Sequence, residues 1–199
     1  MSIWIFVRHG ESVANAQQYL SGWQDVPLTL KGRSEALALK DTLNQTLNKI
    51  EHDLGKNPCV EFISSDLQRA VETAILATNE GFILQDKRFR ERCFGAHQGT
   101  PKSLLKKTGL MEHILSWECD DPEIESFQQL ANRVLPAMDE YTSDVIVLFA
   151  HGGVIRMILG LLEKKPLRET ARWKIPNATP YIRKSPLQGW TSLIPNSST

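Results

Sequence analysis

The chain has 199 residues, 41% of them hydrophobic, which is enough for one domain with a core of ordinary size. Its 23 basic and 23 acidic side chains cancel to a formal net charge of zero, which excludes any global electrostatic pull toward nucleic acid or a membrane surface. Any anion-binding site must therefore be local.

Ile3 to Val7 is a short, unbroken apolar run with β-branched and aromatic residues, and it predicts a strand buried on both faces, as in a parallel sheet. It runs straight into Arg8, His9 and Gly10, at the carboxyl end of a strand, where ligands gather in open α/β sheets. A polar loop with Asn15, Ser21, Gly22 and Trp23 follows. Thr29 then reads as the N-cap of a long helix carrying Leu37, Leu39, Leu43, Leu47 and Ile50 near helical spacing, broken at Asn57-Pro58.

Cys59 to Ile63 predicts the next strand, and Ser64-Ser65-Asp66 predict the cap of a helix from Leu67 to about Thr78. Arg69 falls in the first turn of that helix, where a cation is electrostatically misplaced. An anionic ligand facing both the helix amides and the guanidinium would resolve the misfit. A strand around Phe82 to Leu84 leads to a loop in which Glu91 sits among Arg88, Arg90 and Arg92, cations that favour its ionised form.

Short broken helices are expected from Pro101 to Asp121. Ser126 to Gln129 has the pattern of a capping box that opens a helix with Leu130, Val134, Leu135 and Met138 inward. Val145 to Ala150 repeats the first strand's pattern and again ends in His-Gly, at His151-Gly152-Gly153. A helix from about Val154 to Leu162, a final strand begun near Pro176 to Tyr181 and an irregular tail complete the chain. The order of elements predicts a three-layer α/β/α sandwich with a mostly parallel central sheet. The expected boundaries are one domain over 1–186 and an irregular tail over 187–199.

Cys59, Cys93 and Cys119 are odd in number and widely spaced, so neither a disulfide framework nor a zinc site is expected and small apolar packing is their expected role. No basic region followed by an apolar run and a cleavage site is seen at the start. No window approaches the roughly 20 apolar residues of a membrane span. A cytoplasmic location follows as the expectation, and the sequence holds no signal for an oligomeric state.

Four segments carry a resemblance. Val7 to Ser12 with Asn15, Ser64 to Ala70, Arg90 to Gly95 and Ala150 to Gly153 are similar, in order, to the four motifs of the histidine phosphatase superfamily, which includes the phosphoglycerate mutases. The resemblance implies a phosphoglycerate mutase-like fold and a small phosphorylated substrate. It implies that His9 takes the phosphoryl group, that Arg8, Arg69 and His151 hold its oxygens, and that Glu91 donates the proton to the leaving alcohol. Asn15, Ser21, Gly22 and the backbone of Gly152 would be secondary members of the pocket. No cofactor and no metal are implied.

The chemistry asks for the same residue types. Phosphoryl transfer is helped mainly by positioning and by positive charge on the equatorial oxygens, and arginine supplies a planar fork that lysine lacks. A neutral imidazole is a good nucleophile when its other nitrogen donates to a fixed acceptor, which the turn at Gly10 could provide. The incoming dianion would load the proton on Glu91.

Within the family, the Glu91 to Gly99 loop with Lys102, and Ser21 to Trp23, are similar to cofactor-dependent phosphoglycerate mutases. Those enzymes continue from a tryptophan into two arginines, whereas Trp117 is followed here by Glu118 and Cys119. Loss of two cations and gain of repulsion favour hydrolysis of a phosphomonoester, with mutase activity as the alternative and a non-catalytic phospho-ligand-binding module as a third reading. His97 is expected to be solvated, with a place at the pocket mouth as the alternative, and Trp23 would either pack in its loop or face the substrate.

Overall fold

The computed structural model describes residues 1–195, and of Leu167 and Arg168 only the backbone. Its sheet has the strand order β3-β2-β4-β1-β5, with β1 at Ile3–Arg8, β2 at Val60–Ser64, β3 at Leu84–Gln85, β4 at Val145–Ala150 and β5 at Pro180–Lys184. The first four strands run parallel, and β5 pairs antiparallel with β1 at the edge. β1 and β4 are neighbours in register from Ile3↔Val145 to Arg8↔Ala150, so their two His-Gly ends emerge side by side.

The strands' alternation divides the core into two layers. Trp4, Phe6, Ile146 and Leu148 pack against α6, at Phe127–Asp139, and α7, at Gly152–Leu162. Ile5, Val7, Val147 and Phe149 face α2, at Leu30–Leu54, and α3, at Gln68–Thr78. A sheet covered on both faces is the three-layer sandwich expected of the sequence. A third, smaller apolar cluster of Leu20, Phe94, Leu105, Ile114 and Ile124 lies outside the sandwich. It is built partly by α4, at Lys102–Lys107, and α5, at Leu110–Ile114.

Local signals set several boundaries. Thr29 Oγ1 accepts from the Gly32 amide and opens α2. That helix ends at Gly55, in the left-handed conformation with φ +64, a few residues before the expected break at Asn57-Pro58. The capping box at Ser126 and Gln129 forms as expected.

Other expectations are corrected. Leu37 is half exposed, because Ala36, Leu39 and Leu43 define the inward stripe of α2. Phe82 is exposed, and the third strand begins only at Leu84. The last strand begins at Pro180, after a turn through Asn177 and Ala178. Cys59 is exposed at the start of β2 and fills no core, while Cys119 packs on the outer apolar cluster.

The tail from Leu187 is not irregular throughout. Trp190–Leu193 forms a 3-10 turn whose indole is buried edge-on to Trp4 and Phe6 at 5.5 and 6.0 Å. Asp139 accepts from the amides of Trp190 and Thr191, which ties the turn to the end of α6. Removing a buried tryptophan side chain costs about 3–5 kcal/mol, so this part of the tail belongs to the core. Residues 196–199 of the expected tail lie outside the described residues.

Candidate active site

His9 follows β1, and its amide donates to the Ala150 carbonyl at 3.1 Å, so the sheet ladder fixes its backbone. Its Nδ1 lies 2.7 Å from the carbonyl oxygen of the next residue, Gly10. A carbonyl can only accept, so Nδ1 carries the ring proton and the Nε2 lone pair is left free. Burial, then the guanidiniums of Arg69 and Arg8, push the His9 pKa well below the usual histidine value, and the ring is neutral at neutral pH. Gly10 is required by close approach, because a side chain there would overlap the Gly32 backbone. Thr73 Oγ1 accepts from the Gly10 amide, and Asn177 Nδ2 donates to the His9 carbonyl at 2.6 Å, closing the turn.

His151 stands beside His9, with ring centroids 5.2 Å apart, and is fully buried. Its Nε2 meets Ser65 Oγ at 2.9 Å. Ser65 Oγ also accepts from the Leu67 amide, and the tautomer in which Ser65 donates to His151 Nε2 is the one that leaves the ring hydrogen on Nδ1. That Nδ1 has no protein partner. Arg8 Nε and Arg69 Nε are among the other buried donors that share this property. Buried donors without acceptors are costly, and three of them on residues grouped around one imidazole make a ready receptor for an oxyanion.

The two arginines are held from behind by carbonyls. Arg8 donates to Ile175 at 2.6 Å, and Arg69 to Gln24 and Gly22 at 2.9 and 2.8 Å. Burial pushes the Arg69 pKa down to about 10, which leaves it a cation at neutral pH. The amide at the start of α3 does not await a ligand, since the Gln68 N–H donates to Asp25 Oδ1 at 2.7 Å. Asp25 therefore takes the first amide of the helix end that the sequence assigned to an anionic ligand.

The cations beside Glu91 also turn out differently from expectation. Arg90 pairs in two-pronged fashion with Asp66 at 2.7 and 2.6 Å, and the Arg92 guanidinium is buried against the carbonyls of Glu125 and Ile114. Neither guanidinium bonds the Glu91 carboxylate. Its two oxygens accept from the amides of Arg92 and Gly153, each at 2.9 Å. Gly153 is the one residue type that fits there, because a Cβ would overlap Glu91 Oε1. The Glu91 carbonyl in turn accepts from Trp23 Nε1 at 2.6 Å, and the Trp23 ring lies under Arg90 at 5.1 Å. Trp23 thus braces the Glu91 loop.

These groups open into a cavity of about 740 Å³. Arg8, His9, Asn15, Ser21, Gly22, Arg69, Glu91 and Gly152 all line it, whereas His151 does not. His97 does not line it either, being paired with Asp121 at 3.0 Å. Glu118 and Cys119 also lie off the cavity wall, so the repulsion expected of them is not inside it. Among the described residues no group of three or more His, Cys, Asp or Glu gathers to hold a metal ion.

A family model for the histidine phosphatase superfamily (branch 1) matches residues 4–196. The chain belongs to the histidine phosphatase superfamily. Among curated relatives, a 2,3-bisphosphoglycerate-dependent phosphoglycerate mutase of Rhizobium etli is 29% identical over 92% of this chain and 90% of its own. One of the same name from Methanococcus vannielii is 27% identical over 89% and 88%. Among solved structures, a phosphoglycerate mutase of Thermus thermophilus is 31% identical with a TM-score of 0.66, over 90% of this chain and 91% of its own. A mycobacterial glucosyl-3-phosphoglycerate phosphatase shares the fold, with a TM-score of 0.74 at 24% identity and 92% of each chain covered.

The fold is phosphoglycerate mutase-like, and superfamily enzymes act on small phosphorylated substrates. Among the described residues no helix is long and apolar enough to cross a membrane. For a superfamily member, the residues that the motifs did not single out are those reached through tertiary contact. Thr73 and Asn177 brace the His9 turn, Ser65 meets the His151 ring at Nε2, and Arg133 donates to the carbonyls of Arg88, Arg90 and Glu91. Arg156 and Lys174 line the cavity. None of these is marked by a local sequence signal, apart from Ser65 within its motif.

Proposed function

We propose that this chain is a phosphomonoester hydrolase that works through a phosphohistidine on His9. The observation that carries the reading is the His9 ring itself, neutral, with Nδ1–H held on the Gly10 carbonyl and Nε2 free at a cavity edged by unpartnered cationic donors. In the first step the Nε2 lone pair forms a bond to phosphorus as the bond from phosphorus to the leaving oxygen breaks. Arg8, Arg69 and His151 Nδ1–H receive the equatorial oxygens, where charge concentrates in the transition state.

The leaving oxygen takes the proton of Glu91, whose carboxyl is oriented by the Arg92 and Gly153 amides. An approaching phosphate dianion disfavours a second negative charge beside it, so substrate binding loads the proton that Glu91 then transfers. In the second step the Glu91 carboxylate takes a proton from water. The water oxygen bonds to phosphorus, the N–P bond breaks, and inorganic phosphate leaves with His9 restored. Splitting one displacement into two is the usual gain of a covalent nucleophile.

Hydrolysis is favoured over transfer to a second phosphoglycerate by the missing arginine pair after Trp117, since a mutase must retain a bisphosphorylated intermediate. Mutase activity is the second reading, favoured by the names of curated relatives at 25–29% identity. The two are separated by measuring phosphate release from a panel of phosphomonoesters beside the isomerisation of 3-phosphoglycerate, with and without 2,3-bisphosphoglycerate. Release should be the faster reaction. Isomerisation faster than the hydrolysis of every ester would replace the hydrolase by the mutase.

A further inference from the structure

Trp23 holds a place that the proposed chemistry leaves unused. It is 38% exposed, in the loop before α2, yet three of its groups are committed. Its amide donates to Gln98 Oε1 and its indole Nε1 donates to the Glu91 carbonyl, each at 2.6 Å. The ring lies against two guanidiniums, Arg90 at 5.1 Å and Arg133 at 5.9 Å. Ser21 and Gly22 line the cavity, whereas Trp23 lies off its wall, so any part it has in the reaction is played through another residue.

The bond to the Glu91 carbonyl reaches the carboxyl itself. That carbonyl and the Arg92 amide belong to one peptide unit, which is planar and rigid, and the Arg92 N–H donates to Glu91 Oε1 at 2.9 Å. Turning the plane to break the first bond therefore also turns the N–H away from the carboxyl. The other oxygen, Oε2, accepts from the Gly153 amide on α7. One oxygen is thus referred to α7 and the other, across a peptide plane, to Trp23. Arg133 Nη2 also donates to the Glu91 carbonyl, but at 3.4 Å that bond is long, and its close partner is Glu125 at 2.8 Å.

Trp23 is in turn fixed against the phosphoryl site. The carbonyls on either side of it, Gly22 and Gln24, both accept from the Arg69 guanidinium, and Asp25 accepts from the first amide of α3. Residues 22–25 so refer Glu91 and Arg69 to one short segment. We propose that Trp23 is a positioning residue for the general acid, whose indole N–H orients the Glu91 carboxyl through the peptide unit that joins Glu91 to Arg92. This role rests on the reading of Glu91 as proton donor to the leaving oxygen. A catalytic group misplaced by about 1 Å can lose about 10²-fold in rate, so one indole hydrogen bond has more leverage on turnover than on folding.

The test measures kcat/KM of the full chain, which reports the step that expels the leaving group, on phenyl phosphate and 4-nitrophenyl phosphate. The two esters are close in size, but only the more basic phenolate needs a proton to depart well. Trp23→Phe removes the N–H and keeps an aromatic ring. It should lower kcat/KM about 10-fold for phenyl phosphate and less than about 3-fold for 4-nitrophenyl phosphate. Replacing Trp23 by benzothienylalanine, which puts sulfur in place of the N–H at nearly constant shape, should give the same selective loss even where Trp23→Phe fails to fold. Added to Glu91→Gln, Trp23→Phe should cost less than about 3-fold on phenyl phosphate, because no proton is left to position.

Equal losses on the two esters, with or without a fall in melting temperature, make Trp23 a packing residue and overturn the proposal. So does a fully additive loss in the double variant, or native rates with benzothienylalanine. Glu91→Gln by itself separates this failure from that of the premise. If it discriminates between the esters while the Trp23 variants do not, only the positioning role fails. If it slows both esters alike, the proton-donor reading fails and the positioning role falls with it.

Discussion

The ends of β1 and β4 make an instructive pair, because the same dipeptide stands at the same register of two neighbouring parallel strands and receives two different settings. His9 is oriented by the carbonyl of the residue that follows it, and it opens onto the cavity. His151 is oriented by Ser65, 86 positions away in the chain, and is wholly enclosed. The glycines differ in the same way. Gly10 lets the chain pass the Gly32 backbone, whereas after His151 it is the second glycine, Gly153, that makes room for the Glu91 carboxylate and donates to it. A nucleophile needs a free nitrogen and an open path, and a local hydrogen bond provides both. A donor that must keep one tautomer can be buried, provided a distant side chain fixes the proton.

The sharpest way to break this comparison is to remove each ring. His9→Ala should lower turnover by at least about 10⁴-fold, as loss of a covalent nucleophile does, and should abolish the acid-labile phosphoryl adduct on the protein. An adduct that persists in this variant would transfer the nucleophile's role to another residue, with His151 the first candidate. Glu91→Gln comes next. Alkyl phosphates should slow by about 10²-fold to 10⁴-fold, in the range of general acid catalysis, and nitrophenyl phosphate far less because its leaving group departs as an anion. Equal losses on both would mean that Glu91 positions its neighbours and donates no proton.

His151→Asn should cost about 10²-fold in kcat, the scale of one transition-state donor. Ser65→Ala, which leaves the imidazole but frees its tautomer, should cost about 10-fold, a fraction of that loss. A Ser65→Ala variant as slow as His151→Asn would show that the hydroxyl does more than fix a proton. A large fall in melting temperature with little change in rate would instead make His151 a packing residue.

The smallest effect is on stability against pH. Burial and the arginines hold the folded pKa of both rings well below the unfolded value of about 6.5. Above that pH both states are neutral and the rings contribute nothing. As pH falls below it, the unfolded chain binds protons that the folded one refuses, and stability drops by up to about 1.4 kcal/mol per pH unit for each histidine. His9→Ala should therefore flatten the melting temperature profile between pH 7 and 5. Parallel profiles for variant and native chain would contradict the buried neutral ring.

The amino-acid sequence by itself determined the parts whose causes lie within a few residues. The apolar runs made β1 and β4, Thr29 and Ser126 with Gln129 opened their helices, and the Gly10 turn offered His9 its acceptor. What the tertiary structure decided is where each polar group spends its hydrogen bonds. Arg90 went to Asp66 and Arg92 to the carbonyls of Glu125 and Ile114, both away from Glu91. Asp25 took the start of α3, Trp190 returned from the tail to the core, and Arg156 came beside Arg8. Periodicity and capping act over one or two turns of chain and are legible there. Charges and buried donors choose among all partners that the sheet order brings within reach, and that set exists only once the chain has folded.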